Sequence, residues 1–221
     1  MNKPVNREEW HMLPHEINAY FNPELNEIVF PASILQSPFY SPEADDASNY
    51  GGIGAVIGHE ITHGYDDKGR QYDASGQLCD WWTEKDSNEF NKRAEIIVKQ
   101  FNECKILEKN VNGELTQGEN IADFGGLKVA YDALQKKLKR DNNSDNKIEG
   151  MTPEQRFFIS WGQIWRCNIR DETQLLHLAI DPHSPCKLRI NMPLSNMEEF
   201  YKAFDIKEGD EMYRKNRFEL W

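Results

Sequence analysis

The sequence predicts a predominantly helical α+β fold built as one domain over residues 1–221. Three observations carry this prediction. Apolar residues recur at helical spacing in three long stretches, near 84–101, 118–138 and 152–165. Alternating, extended patterns gather near the start, before Phe39. No internal repeat and no linker divides the 221 residues, a length that one large domain accommodates.

From Met1 to Phe39 the chain reads as extended structure with turns. Ile17, Ala19 and Phe21 alternate with Asn18 and Tyr20, which is strand periodicity. Asn22-Pro23-Glu24-Leu25-Asn26 reads as a turn, and Ile28-Val29-Phe30 as a second strand stopped by Pro31. Pro38 and Pro42 mark a loop leading to an apolar, glycine-rich run from Ile53 to Ile61. Gly51, Gly52, Gly54 and Gly58 each weaken an isolated helix by about 1 kcal/mol relative to Ala. A helix here makes sense if it is buried and tightly packed by its neighbours. It ends at Gly64, and two turn clusters follow, Asp66–Gly69 and Asp73–Gly76. Thr83-Glu84-Lys85-Asp86 opens a helix whose apolar positions are Phe90, Ala94, Ile97, Val98 and Phe101. After the turn at Asn112-Gly113, a further helix begins near Gly118 and runs through Leu127, Val129, Ala130, Leu134 and Leu138. Lys136 to Lys147 reads as a solvated, mobile loop. Thr152-Pro153-Glu154-Gln155 is a capping box with Pro at the first helical position. The helix it opens carries Phe158, Trp161, Ile164 and Trp165, mainly as core. Asp181 to Pro185 is a rigid loop. Leu188, Ile190 and Met192 then alternate with Arg189 and Asn191, which points Arg189 away from the apolar face, and Ser195-Asn196-Met197-Glu198 starts the last helix.

Composition narrows the function. The net charge is -11 and the isoelectric point near 5.1, with no basic surface for nucleic acid. The hydrophobic fraction is 38% and the mean hydropathy -0.77, and no run approaches the ~20 apolar residues of a membrane span. Met1 to Asn6 lacks the apolar stretch of a signal peptide. Cys79, Cys104, Cys167 and Cys186 lack C-x-x-C spacing, which argues against a thiolate zinc site; their even number permits disulfides without implying them.

The chemistry centres on His59-Glu60-Ile61-Thr62-His63, the H-E-x-x-H pattern of zinc peptidases. Four positions apart on a helix, both imidazoles face one metal ion, and Glu60 can reach a water bound to it. Two histidines and a glutamate on a buried helix need partners, and a metal ion supplies them. Catalytic zinc usually takes a third protein ligand. Glu119, in Gly118-Glu119-Asn120-Ile121-Ala122-Asp123, is the candidate, and Asp123 on the same helix face would accept the outer N–H of His59.

Asn18-Ala19-Tyr20-Phe21-Asn22, His59 to Gly64, Gly118 to Asp123, and His183-Ser184-Pro185 followed by Arg189 together resemble the neprilysin and endothelin-converting-enzyme family of zinc endopeptidases. The resemblance runs from about Trp10 to Trp221. It implies a thermolysin-like (gluzincin) catalytic fold and one zinc ion per chain. It makes His59, His63 and Glu119 the ligands, Glu60 the base and Asp123 the orienting carboxylate. It gives Asn18 and Ala19 to the substrate backbone, His183 to the transition state and Arg189 to a substrate carbonyl. Ile34, Phe39, Val56, Ile164 and Trp165 fall where the family builds its hydrophobic side-chain pocket. The expected activity is hydrolysis of oligopeptides by Glu-assisted attack of a zinc-bound water, before a hydrophobic residue that supplies the new amino group. The alternative is a non-catalytic, zinc-containing peptide-binding fragment. The family's upstream helical lobe and membrane anchor or secretion signal have no counterpart in this chain. A lobe supplied from elsewhere, or self-association through apolar surface the lobe would cover, is therefore expected. The resemblance suggests an extracytoplasmic or secreted address.

Overall fold

A computed structural model describes residues 6–144 and 146–218. The reading of Met1 to Val5 as leaderless, of Asp145 as loop, and of Glu219 to Trp221 lies outside the described residues. A short hairpin comes first, β1 (Tyr20–Asn22) pairing antiparallel with β2 (Glu27–Val29). Helix α1 (Asp46–Asn49) passes through one π-helical turn into α2 (Ala55–His63). The long α3 (Glu84–Asn102), a two-residue hairpin of β3 (Lys105–Ile106) and β4 (Lys109–Asn110), and the longer α4 (Gln117–Arg140) follow. Four helices follow among the described residues: α5 (Pro153–Trp165), α6 (Asp171–Ile180), α7 (Cys186–Asn196) and α8 (Glu198–Phe204). The predominantly helical α+β class expected from the sequence is the class observed.

Helix α4 organises the packing. One side, through Leu127, Tyr131 and Leu134, joins a core with Phe157, Phe158 and Trp161 of α5 and Phe200 of α8. Its other side, through Ile121 and Phe124, joins a second core with Phe90, Ile97 and Phe101 of α3 and Leu188 and Met192 of α7. Full burial of a side chain such as Phe101 or Ile97 stabilises by about 1.5–3 kcal/mol. Helix α2 lies directly on α4. A Cβ on Gly58 would stand 2.6 Å from the Gly126 carbonyl oxygen, and one on Gly126 would stand 2.4 Å from the His59 amide nitrogen. Gly58, which the sequence places in this helix, is thus where the two backbones touch.

The local signals at Thr83 and Thr152 act as read. Thr83 accepts from the Asp86 amide, and Thr152 and Gln155 form both bonds of a capping box. Other readings need correction. Leu188 to Met192 is helical, not alternating: Leu188 and Met192 are one turn apart and both buried, and Arg189 is buried with them. Five residues are too few to separate the two periods. Lys136 to Arg140 is the end of α4, where Lys137, Lys139 and Arg140 suit the negative end of the helix dipole, and irregular chain begins only at Asp141. Val129, on that helix, is exposed. The first strand covers only Tyr20–Asn22, because Ile17 faces solvent. Ser195 and Asn196 close α7 rather than open α8. Helix α6 and a disulfide between Cys167 and Cys186 were not anticipated; Cys79 and Cys104 are free. No helix among the described residues is long and apolar enough to cross a membrane.

Candidate active site

His59, Glu60 and His63 leave the second half of α2, and Glu119 and Asp123 leave the first turns of α4. The close crossing of these helices brings them into bonding range. His59 Nδ1 meets Asp123 Oδ1 at 2.9 Å, and His63 Nδ1 meets Asp66 Oδ2 at 2.7 Å. An ionised carboxylate only accepts, so each imidazole donates through Nδ1. Their Nε2 atoms are left facing one another at 3.0 Å. Glu119 Oε2 lies 3.3 Å from the first and 3.5 Å from the second. That oxygen is buried, and no donor reaches it with hydrogen-bond geometry. Two imidazole nitrogens and one carboxylate oxygen therefore share one spot, all within 4.8 Å of one another. Imidazoles whose outer N–H is held by a carboxylate, together with one anionic oxygen, are the donor set of a catalytic zinc site. The orphaned Oε2 fits the same cation.

The electrostatics are those of a cation site. Burial alone would lower the pKa of His63, yet Asp66 and Glu119 outweigh it and push the ring up to about 10. Burial acts the same way on His59, and the neighbouring Asp123 and Glu119 carboxylates again carry it upward. Glu119 is held far below the carboxylate range: burial would raise it, but His183, His59 and His63 prevail. Glu60 moves the other way, because burial dominates and raises its carboxyl.

A second layer comes from the loop between α6 and α7 and from α7 itself. His183 Nε2 stands 3.2 Å from Glu119 Oε2, while Asp181 Oδ1 accepts from its Nδ1 and from its backbone N–H, both at 2.9 Å. Ser184 donates to Asn120 Oδ1 at 2.7 Å, in a buried bond that pins this loop to α4. Arg189 donates to both oxygens of Asp123, at 2.8 and 2.7 Å, and its guanidinium lies 3.7 Å from the Trp165 ring centre. Burial would raise Asp123, but Arg189 and His59 hold it low.

A cavity of about 680 Å³ opens onto this centre. His59, Glu60, His63, Glu119, His183 and Arg189 line it, as do Asn18, Ala19, Ile34, Phe39, Val56 and Trp165. Asp123 sits behind His59. Ile164, expected on the pocket wall, is packed into the core. Sequence reasoning passed over Asp66, Asp181, the Asn120–Ser184 pair and His177, which also lines the cavity. Asp66 had a usable signal, lying three residues after His63 at the head of a turn cluster.

Residues 18–220 match the model of peptidase family M13. The chain is 44% identical over 224 aligned positions to Neprilysin-3 of Drosophila melanogaster, covering 100% of this chain and 28% of that protein. It is 43% identical to endothelin-converting enzyme 1 of Homo sapiens, covering 100% and 29%. Among solved structures it resembles a zinc metalloprotease of Mycobacterium tuberculosis in complex with an inhibitor. That match has a TM-score of 0.93 and 47% identity, and covers 96% of this chain and 33% of that one. The chain thus spans under a third of the length of these curated relatives.

Proposed function

The chain belongs to peptidase family M13, and from that premise we propose that it is a zinc-dependent endopeptidase catalytic domain acting on oligopeptides. The observation that carries the reading is the convergence of His59 Nε2, His63 Nε2 and Glu119 Oε2 at the base of the cavity, with Glu60 beside them. These three residues would hold one zinc ion per chain, with Asp123 and Asp66 fixing the two imidazoles. When bound, such an ion supplies Lewis acidity toward a peptide carbonyl and acidifies water.

The chain's own groups do the rest. Glu60, buried and raised, accepts the proton of the attacking water and returns it to the leaving nitrogen. His183 is raised as well: burial opposes the proton, but Glu119 and Asp181 retain it. It donates from Nε2 toward the oxygen on which charge builds, with Asp181 holding the ring. Hairpin β1–β2 has two strands only, so one edge of β1, beside Asn18 and Ala19, is free among the described residues to receive an extended peptide. Arg189 offers its guanidinium to a substrate carbonyl on the far side of the cut. Ile34, Phe39, Val56 and Trp165 favour a hydrophobic side chain on the residue that yields the new amino group.

The Cys167–Cys186 disulfide supports an oxidising, extracytoplasmic address. Exposed apolar side chains, Trp10, Leu13, Leu176 and Ile180 among them, support self-association or cover by a further part of a longer chain. The test is Glu60→Gln. It should keep its zinc by elemental analysis and lose at least about 10²-fold in cleavage of a quenched fluorogenic peptide. Parental cleavage by the zinc-loaded variant would overturn the reading.

A further inference from the structure

We propose that the Cys167–Cys186 disulfide is a positioning clamp for one wall of the substrate cavity, and that a dithiol reductant releases this wall while the metal-holding group stays in place. The argument starts from α6. Its inner side lends Gln174 and His177 to the cavity, with Ile169 just before it and Asp181 just after. Yet α6 has no buried residue and makes no extended contact with another helix or strand. Leu175, Leu176 and Ile180 face solvent, and Leu178 only partly reaches the second core. Little packing energy therefore holds this wall.

The two ends of the segment differ. The downstream end is tied to α4 by the buried Ser184–Asn120 bond. The upstream end, from Arg166 to Arg170, contains no buried residue. It is tied by Cys167, whose sulfur joins Cys186 at the first position of α7, with the two Cα atoms 6.3 Å apart. The bond joins two residues 19 positions apart on either side of α6, so that both ends of the wall start from one fixed point. Cys186 itself lines the cavity, and Cys167 is exposed, within reach of a reductant. The ligand residues are anchored independently, on α2 and α4, where the helices meet backbone to backbone.

Opening is a balanced exchange. One thiolate of the dithiol attacks a sulfur of the bridge and forms a mixed disulfide. Its second thiolate displaces the remaining cysteine. The reductant leaves as its cyclic disulfide, and two protons pass from its thiols to Cys167 and Cys186.

The consequence for turnover rests on the peptidase reading, but the conformational part does not, and the test separates them. Hydrogen–deuterium exchange is compared for the metal-free, 221-residue chain, oxidised and after treatment with dithiothreitol. Amides of 171–180 should exchange at least about tenfold faster on reduction, while those of α2 and α4 keep their rates. Reoxidation should restore the slow rates, which removes any dependence on whether Cys167→Ser folds. In the zinc-loaded chain, reduction should raise KM for a fluorogenic peptide by about tenfold, the size of one lost wall contact, with zinc content nearly unchanged. Equal protection of α6 in both redox states would overturn the clamp. So would protection lost equally in α2 and α4, since the bridge would then hold the whole fold. An oxidised chain that binds zinc and cleaves nothing would sink the peptidase reading instead, leaving the exchange comparison to decide the clamp.

Discussion

Replacing Gly126 by Ala should loosen the fold and weaken metal binding together. The added Cβ would stand 2.4 Å from the His59 amide nitrogen and 2.8 Å from both His59 Cα and the Ala55 carbonyl oxygen. All three are backbone atoms of α2, so no side-chain rotation relieves the clash. Reaching a tolerable 3.4 Å requires α2 to recede by about 1 Å. Overpacking of this kind costs about 1–3 kcal/mol, against a gain of about 1 kcal/mol in helix propensity, for a net loss of up to about 2 kcal/mol. The same displacement carries His59 away from Glu119 and Asp123, now 3.3 and 2.9 Å away. Zinc affinity should fall by about 10–100-fold, the usual effect of disturbing the groups that orient a ligand. Urea unfolding of the metal-free chain and competition with a chromophoric chelator measure the two losses. Gly162→Ala is the control. Its Cβ would meet only Ile190 Cγ2 at 3.8 Å, so it should gain up to about 1 kcal/mol. A Gly126→Ala chain as stable as its parent and equally tight for zinc would refute the idea that backbone contact sets the site.

Three further outcomes follow from the same geometry. Asp66→Asn puts an amide against His63 Nδ1, and zinc affinity should drop about 10–100-fold while the melting point of the metal-free chain changes less; unchanged affinity would remove Asp66 from the site. Asp181→Asn takes away one of the groups that keep the proton on His183, so the alkaline limb of the kcat/KM profile should move to lower pH, and a limb that stays put would show that another group sets it. The metal-free chain should lose stability with rising pH. His63 is raised against its burial by Asp66 and Glu119, so its contribution is complete below the ordinary value of 6.5 and fades as pH climbs to about 10. A melting temperature that increased over that interval would contradict the assignment.

The reaction centre was more legible in the sequence than the fold around it, for physical reasons. His59, Glu60 and His63 share one helix, where spacing alone decides which side chains point together. Glu119 and Asp123 repeat the same logic on α4. Gly58 of α2 foretold a close neighbour without naming it, and Gly126 supplies the missing half. Legibility failed where short segments are decided by tertiary contacts. Helix α6 has no buried face and hence no period to read. Arg189 looked outward from alternation, but Asp123 and Trp165 draw it inside, a pairing across 66 positions that no local pattern encodes. Ile164 shares its aromatic neighbours' spacing and is buried in the same core as Ile34 and Val56, but unlike them it is not among the residues lining the cavity.

The direct seating of α2 on α4 has a practical meaning. The framework that presents the donors is held by main-chain contact between two helices, and should stand without the ion. Chelation should therefore empty the site without denaturing the protein, and the emptied form should accept zinc, cobalt or manganese on simple addition, with no refolding step. Spectroscopically visible ions could then report on the centre directly, in a scaffold otherwise unaltered.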